Sequence, residues 1–152
     1  DRIPGPRIMG VGLALQAIGL GWMAAISDPS APYETFVGPF ILSGVGMALF
    51  FAPVANVVLG SVRPHEEGQA SGANNAIREL GGVFGVAVLA SIFASYGGYG
   101  SGTSFVNGLS PAVWVGAALV GVGALVALTI PARRRRAEAG VVALEPALEE
   151  AA

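Results

Sequence analysis

Four long apolar segments separated by short polar connections constrain this chain more than any other feature. An α-helix rises about 1.5 Å per residue, so around 20 apolar residues cross the roughly 30 Å hydrocarbon core of a membrane. The third segment reaches that length only with a polar N-terminal extension, because its continuous apolar part covers residues 80–96. We therefore predict an all-α membrane protein whose four transmembrane helices cover residues 8–26, 36–62, 66–96 and 111–131.

The basic residues indicate the orientation of these helices. All eight are arginines, and they lie at the N-terminus, around the start of the third helix and in the C-terminal tail. Cytoplasmic connections of membrane proteins carry an excess of Lys and Arg. We therefore predict a multi-pass protein of the plasma membrane with both ends of the four-helix segment in the cytoplasm. The arginines are Arg2, Arg7, Arg63, Arg78 and an anchoring run formed by Arg133, Arg134, Arg135 and Arg136.

The composition excludes several other classes of protein. Charged residues make up 12% of the chain, against about 25% in soluble domains. There is no cysteine for disulfides or thiolate metal sites, and the single histidine, His65, is expected to be a solvated connection residue. The arginines flank apolar segments and form no nucleic-acid footprint. Since the sequence offers no nucleophile–base pair and no set of metal ligands, we predict neither an enzyme nor a protein with a bound cofactor or metal.

Proline and capping residues mark the predicted helix ends. Ser110 followed by Pro111 is typical of an N-cap and first helical turn, which would start the fourth helix. Arg63 followed by Pro64 would end the second helix, in which Pro53 is expected to cause a kink. Residues 1–136 would form the transmembrane segment, and the Ala- and Glu-rich residues 137–152 a disordered cytoplasmic tail.

One face of the third helix is small and polar throughout. Spacings of three and four residues bring its members together on a helix, and a neighbouring stripe contains the small-xxx-small pair Gly81 and Gly85. Such a face favours close contact with another helix, either as ordinary packing or as a sliding interface between two moving halves. We call it the small polar face, and its members are Gly68, Gly72, Asn75, Glu79 and Gly82.

The same segment resembles the penultimate helix of major facilitator superfamily transporters, in the fourteen-helix drug:proton antiporter branch. The start of the chain is similar to the end of that family's cytoplasmic loop motif, although Pro4 adds one residue. The second helix, with Gly44, Gly46 and then Pro53, is similar to a cavity-lining helix of the family. The positions matching the penultimate-helix pattern are Arg63, Pro64, Glu66, Gly68, Ala70, Ser71, Gly72, Asn75, Arg78, Gly81, Gly82, Gly85 and Ala87, and those matching the loop motif are Asp1, Arg2, Gly5 and Arg7.

The resemblance implies that residues 1–136 are the last four helices of an efflux transporter and that its N-terminal helices are missing. Such a transporter exports small hydrophobic or cationic compounds by proton-coupled alternating access, with no cofactor besides the proton gradient. Its proton-carrying carboxylates would lie in the missing helices, and its partners would be these helices, the lipid bilayer and the small-molecule substrate. The second helix would line the cavity, the third would contact the other half, and the first and fourth would face lipid. The implied substrate-pathway residues are Gly46, Pro53 and Asn56, and the implied inter-half residues are Gly72, Asn75, Arg78, Glu79 and Gly82.

Two other functions fit four helices. The chain could be a self-contained oligomeric small transporter, but such exporters need a membrane-embedded carboxylate, and the first helix offers only Gln16. It could also be a non-transporting membrane subunit, which a reading frame upstream of Asp1 would exclude. We expect a piece of a longer chain, because the sequence starts at Asp1 and the first helix follows almost at once.

Overall fold

The computed structural model describes residues 5–130, which form four long helices and one short 3-10 turn at Pro64–Glu66. Each of the four helices is long and apolar enough to cross a membrane, which confirms the prediction of an all-α fold with four transmembrane helices. The predicted anchor at Arg133–Arg136, the tail at 137–152 and the motif residues Asp1 and Arg2 lie outside the described residues. The helices are α1 (Gly5–Ala25), α2 (Glu34–Leu59), α3 (Glu67–Tyr96) and α4 (Gly102–Thr129).

The helices alternate in direction, which gives the bundle two distinct ends. Arg7 and Arg63 lie at one end, where the start of α1 approaches the last turns of α2 and α4. We call this end the arginine end. The connections at 26–33 and 97–101 lie at the other end, which we call the tyrosine end because Tyr33, Tyr96 and Tyr99 belong to it.

Helix α1 is the central element, because it packs along both α2 and α4. Toward α2 it presents a glycine at every seventh position: Gly5, Gly12 and Gly19. A methyl group added to Gly12 would lie 2.7 Å from the carbonyl oxygen of Gly46, so the two backbones are almost in contact there. Close backbone approach through small residues is how membrane helices associate where lipid supplies no hydrophobic drive.

Helix α4 covers the other side of α1. The Ser110 hydroxyl donates a hydrogen bond to the Ala24 carbonyl oxygen across this contact, at 3.1 Å. Near the arginine end, a methyl group added to Gly10 would lie 2.7 Å from the Leu128 side chain. The two helices therefore run antiparallel over their full length. The apolar residues that they bury are alanines: Ala24 on α1, and Ala112, Ala117, Ala124 and Ala127 on α4.

The fourth helix begins nine residues earlier than predicted, so the assignment of Ser110 and Pro111 to its start is wrong. The cap is Ser101, whose hydroxyl oxygen accepts a hydrogen bond from the Ser104 amide at 3.1 Å. Pro111 lies inside α4; membrane-spanning helices tolerate proline because neighbouring groups can satisfy the freed backbone carbonyl. Ser110 makes an interhelical hydrogen bond and does not cap a helix.

The ends of α1 and α2 also differ from the predicted bounds. Helix α1 starts at Gly5, three residues before the predicted position, and ends at Ala25. Helix α2 ends at Leu59 instead of residue 62. The amide of the following residue, Gly60, donates to the Asn56 carbonyl oxygen at 3.0 Å and closes the last turn. Helix α2 is assigned as one helix through Pro39 and Pro53, and the kink at Pro53 stays a prediction.

The connection between α1 and α2 is a tight turn around Asp28. Its carboxylate accepts hydrogen bonds from the Ser30 amide, at 2.8 Å, and from the Ser30 hydroxyl. These two donors lower the pKa of Asp28 below its ordinary value, the hydroxyl having the larger effect. The turn therefore keeps a negative charge at the tyrosine end, where the described connections carry no arginine.

Candidate functional site

The third helix leaves its small polar face uncovered. Within residues 5–130, Gly72, Asn75, Glu79 and Gly82 are all exposed, and Arg78 is exposed beside them. A methyl group added to Gly72 or Gly82 would meet no atom within 4 Å. No residue of α3 is buried, although the helix is apolar enough to span a membrane. The four helices thus bring the predicted inter-half residues together on one side of α3 without providing their partner.

The charged pair on this helix is held loosely. The guanidinium of Arg78 lies 3.4 Å from a carboxylate oxygen of Glu79, and the two side chains are 59% and 77% exposed. Ion pairs whose charged groups reach the headgroup level, where water and salt screen them, contribute at most about 1 kcal/mol. Arg78 can therefore exchange this neighbour for another anionic group at low cost.

Arg78 is the twelfth residue of its helix, whereas Arg7 is the third residue of α1 and Arg63 lies in a connection. Arg78 precedes Tyr96, the last residue of α3, by 18 positions, which is about 27 Å of helix. If Tyr96 lies at one membrane interface, Arg78 lies just inside the opposite edge of the roughly 30 Å hydrocarbon core. A long side chain at that depth reaches the headgroups with its charged end, while its apolar stem stays at the level of the hydrocarbon core.

The structure separates the three predicted substrate-pathway residues. Gly46 is buried in the contact between α1 and α2, where an added methyl group would lie 2.6 Å from the Gln16 amide nitrogen. Helix packing accounts for this glycine, so we do not retain it in the pathway. Pro53 is half-buried on the side that approaches Gly5, and Asn56 is exposed.

Sequence reasoning missed a larger surface on α2. At 100° per residue, the side of the helix opposite the α1 contact carries aromatic and small residues together with the aliphatic Val37 and Ile41, all of them exposed among residues 5–130. Phe40 and Phe51 are 51% and 41% exposed, and Gly44 between them has open space above it. The sequence contained the signal for this surface, because its members recur every three or four residues along α2. They lie on a different side of the helix from Gly46, which packs against α1. We call this surface the open face of α2, and its members are Phe40, Gly44, Ala48, Phe51 and Ala55.

The part of the loop motif that the structure describes belongs to a helix. Gly5 starts α1, and a methyl group added to it would lie 2.8 Å from the Val57 side chain of α2. Arg7 is exposed at the arginine end. Gly5 therefore allows the start of α1 to approach the last turns of α2.

Acidic and metal-ligating groups do not converge among residues 5–130. No group of three or more His, Cys, Asp or Glu side chains in that range could hold a metal ion. Four of its acidic residues lie in connections or first helical turns, and they are Asp28, Glu34, Glu66 and Glu67. The fifth, Glu79, lies within α3, beside Arg78. His65 lies in the connection between α2 and α3, 3.9 Å from a Glu66 carboxylate oxygen, with its side chain 72% exposed.

Comparisons with known proteins agree with the helical pattern. The chain is 34% identical over 148 residues to the cephamycin export protein of Amycolatopsis lactamdurans, covering 91% of this chain and 28% of that protein. It is 28% identical over 130 residues to a puromycin resistance protein of Streptomyces alboniger, covering 82% of this chain and 25% of that protein. It is 35% identical over 95 residues to an uncharacterised major-facilitator-type transporter of Mycobacterium tuberculosis, covering 62% of this chain and 16% of that protein.

This chain thus spans at most 28% of the length of these curated relatives. No solved structure matches it. The sequence profile of the Major Facilitator Superfamily matches residues 1–149, nearly the whole chain. Together with four helices long and apolar enough to span a membrane, this match indicates a multi-pass membrane protein of a transporter family and not an enzyme: the chain belongs to the major facilitator superfamily.

Proposed function

We propose that this chain forms the last four helices of an efflux transporter in the fourteen-helix drug:proton antiporter branch. The transporter would export small hydrophobic or cationic compounds from the cell by alternating access, driven by the proton gradient. The names of two relatives, an export protein and a resistance protein, support export over uptake. The carriers of the proton would lie in other helices, because four of the five acidic residues among 5–130 lie in connections or first helical turns, and the fifth, Glu79, is paired with Arg78.

One observation carries this proposal: three of the helices pack closely together, while the third in the chain presents its small polar face to no described residue. A small residue in a membrane helix permits close approach of a second helix. The proposed partner of this face is a helix of the other half of the transporter. Arg78 would leave Glu79 and pair with an acidic group there in one of the two access states.

The open face of α2 and Asn56 would line the substrate pathway. Aromatic rings and small side chains suit hydrophobic or cationic compounds, because a ring offers both apolar area and an electron-rich surface. The arginine end would face the cytoplasm, with the protein in the plasma membrane, as the distribution of basic residues favours.

The interface is tested by filling it with a bulky side chain. Gly72→Leu adds volume to the small polar face, and Ala73→Leu adds it one residue along, about 100° around α3 and outside that face. Both positions are exposed. Both variants should insert normally, because an added methyl group at Gly72 meets nothing within these four helices. We expect Gly72→Leu to reduce drug efflux by tenfold or more, and Ala73→Leu to leave it within about twofold.

Efflux is measured as the loss of a fluorescent cationic dye from energised cells, at matched amounts of protein in the membrane. Equal efflux in Gly72→Leu and Ala73→Leu would contradict the proposed interface. Arg78→Ala should also lower efflux, and Arg78→Lys should restore part of it, because the proposed pairing needs the charge. His65→Ala is the matched connection control and should have no effect.

A further inference from the structure

Helix α1 carries a polar side chain at the middle of its length. Gln16 follows the first residue of the helix, Gly5, by 11 positions and precedes the last, Ala25, by nine. It therefore lies about 14–17 Å from either end, at the centre of a roughly 30 Å hydrocarbon core. No side-chain hydrogen bond within residues 5–130 involves Gln16. Because an unpaired amide is strongly unfavourable in hydrocarbon, this side chain needs a partner.

Gln16 lies on the inner side of the layer that α2, α1 and α4 form. At 100° per residue, it lies midway between Gly19, which faces α2, and Leu13. The Leu13 side chain lies 3.8 Å from a methyl group added to Gly123 of α4. Ile18, which is 59% exposed, lies roughly on the opposite, outer side of α1. Gln16 is therefore half-buried between α2 and α4 and is turned away from that outer side.

The third helix lies on the same inner side but is not packed against α1. Gly116 of α4, which approaches Leu89 of α3, precedes Gly123 by seven positions, so both glycines lie on one side of α4. Within residues 5–130, no Cα atom of α3 lies within 8 Å of a Cα atom of α1. Packed helices have axes about 8–10 Å apart. The inner side of α1 at Gln16 is therefore not covered by α3.

A serine of α2 lies one turn from Gln16 across the contact between α1 and α2. The Ser43 backbone faces Gly19, and Gly46, three residues further on, faces the backbone of Gln16. The Ser43 hydroxyl is buried and has no hydrogen-bond partner among residues 5–130. Gln16 and Ser43 are the only residues in the ranges 8–25 and 36–55 whose side chains carry an amide or a hydroxyl group. The Ser43 hydroxyl can donate to the amide oxygen of Gln16, which leaves the NH₂ group of that amide to donate elsewhere.

We infer that Gln16 binds a helix of the transporter that lies outside residues 5–130 and packs against the inner side of α1. The NH₂ group of Gln16 donates to an acceptor oxygen of a side chain on that helix, while Ser43 holds the amide oxygen. The curated relatives are long enough to supply the helix, because this chain spans at most 28% of their length. Hydrogen bonds between polar side chains join helices in membranes, where lipid chains offer no acceptor. The inference rests on the proposed function for the presence of further helices, and not for what is exported.

In the full-length transporter, Gln16→Leu tests this bond by the sign of its effect on stability. With a partner on another helix, the substitution leaves an acceptor unpaired and should lower the melting temperature by about 2 °C or more. Without a partner, it removes a polar group from hydrocarbon and should raise the melting temperature. Thermal unfolding of the purified protein in detergent, followed by tryptophan emission, measures the change. Ile18→Leu on the outer side of α1 is the matched control and should leave the melting temperature unchanged.

The same substitution in a Ser43→Ala background separates the inferred partner from a bond confined to α1 and α2. If Gln16 bonded only to Ser43, Gln16→Leu would no longer lower the melting temperature once Ser43 is replaced. We expect Gln16→Leu to lower it in both backgrounds, because the bond to the other helix is lost in both.

A photoreactive diazirine side chain at position 16 identifies the partner. After illumination in membranes and proteolysis, mass spectrometry should find position 16 joined to a peptide from outside residues 5–130. The same group at position 18, on the outer side, should not give that peptide.

Three results would overturn the inference. The first is a melting temperature that Gln16→Leu raises or leaves unchanged. The second is a decrease that disappears in the Ser43→Ala background, and the third is a cross-link from position 16 only to lipid or to residues 5–130. None of these measurements needs transport. A protein that exports no tested compound but gives the expected cross-link and melting temperatures would support the inference and contradict the export proposal.

Discussion

The contact between α1 and α2 predicts opposite effects for the same substitution two residues apart. Gly46→Ala adds a methyl group 2.5 Å from the Gly12 carbonyl oxygen and 2.6 Å from the Gln16 amide nitrogen. Both atoms belong to the backbone of α1 and cannot rotate away. Gly44→Ala adds the same methyl group on the same helix, where nothing lies within 4 Å.

The size of the expected difference in stability follows from these distances. Ordinary van der Waals contact begins at 3.4 Å, so Gly46→Ala forces the helices about 0.9 Å apart at their closest point. Overpacking of this kind costs about 1–3 kcal/mol. Replacing Gly by Ala inside a helix gains up to about 1 kcal/mol of helix propensity at either site, and this gain cancels when the two variants are compared. We expect Gly44→Ala to be more stable than Gly46→Ala by about 1–3 kcal/mol.

The free energy of unfolding is measured by titrating the purified protein in detergent with SDS. Tryptophan emission reports the transition, because the Trp22 ring of α1 lies against Gly38 of α2. Wild type should fall between the two variants or close to Gly44→Ala. Equal stability of the two variants would mean that α1 and α2 do not approach closely at Gly46, and the glycine contact would be refuted.

Two further predictions concern the start of α4 and the orientation of the bundle. Ser101→Ala should cost about 1 kcal/mol and speed hydrogen exchange at the Ser104 amide, because it removes the cap; Ser110→Ala should cost about 0.6 kcal/mol without that change, because it removes one interhelical hydrogen bond. Exchange at Ser104 that is slower or unchanged in Ser101→Ala would contradict the assigned cap. Since the chain has no cysteine, Ser30→Cys should react with an impermeant maleimide on intact cells, and His65→Cys only after permeabilisation. The reverse pattern would invert the proposed orientation.

The sequence was sufficient to predict the helices but not the contacts between them. Apolar length and the position of arginines depend on the bilayer, whose thickness is known in advance, so the four spans could be predicted. The start of α4 was missed because Ser110–Pro111 and Ser101 both satisfy local capping rules, and only the contact of Ser110 with Ala24 distinguishes them.

The glycines show the same limit more clearly. Gly44 and Gly46 are two residues apart in one apolar helix, yet one faces open space and the other touches a backbone. Their difference depends on which side of α2 meets α1, and that is a property of two helices together. The small polar face of α3 could be predicted because all its members belong to a single helix.

The spacing of the α1 glycines has a consequence for how this helix tolerates insertions and deletions. Seven residues make almost two full turns, so Gly5, Gly12 and Gly19 form one seam that drifts by only about 20° per repeat. A single residue inserted after Gly12 would rotate Gly19 by about 100° and turn a larger side chain toward α2. Substitutions on the outer side of α1 leave that seam intact. The length of α1 between its glycines is therefore fixed more strictly than most of its side chains, while the connection at 26–33 can absorb a change in length.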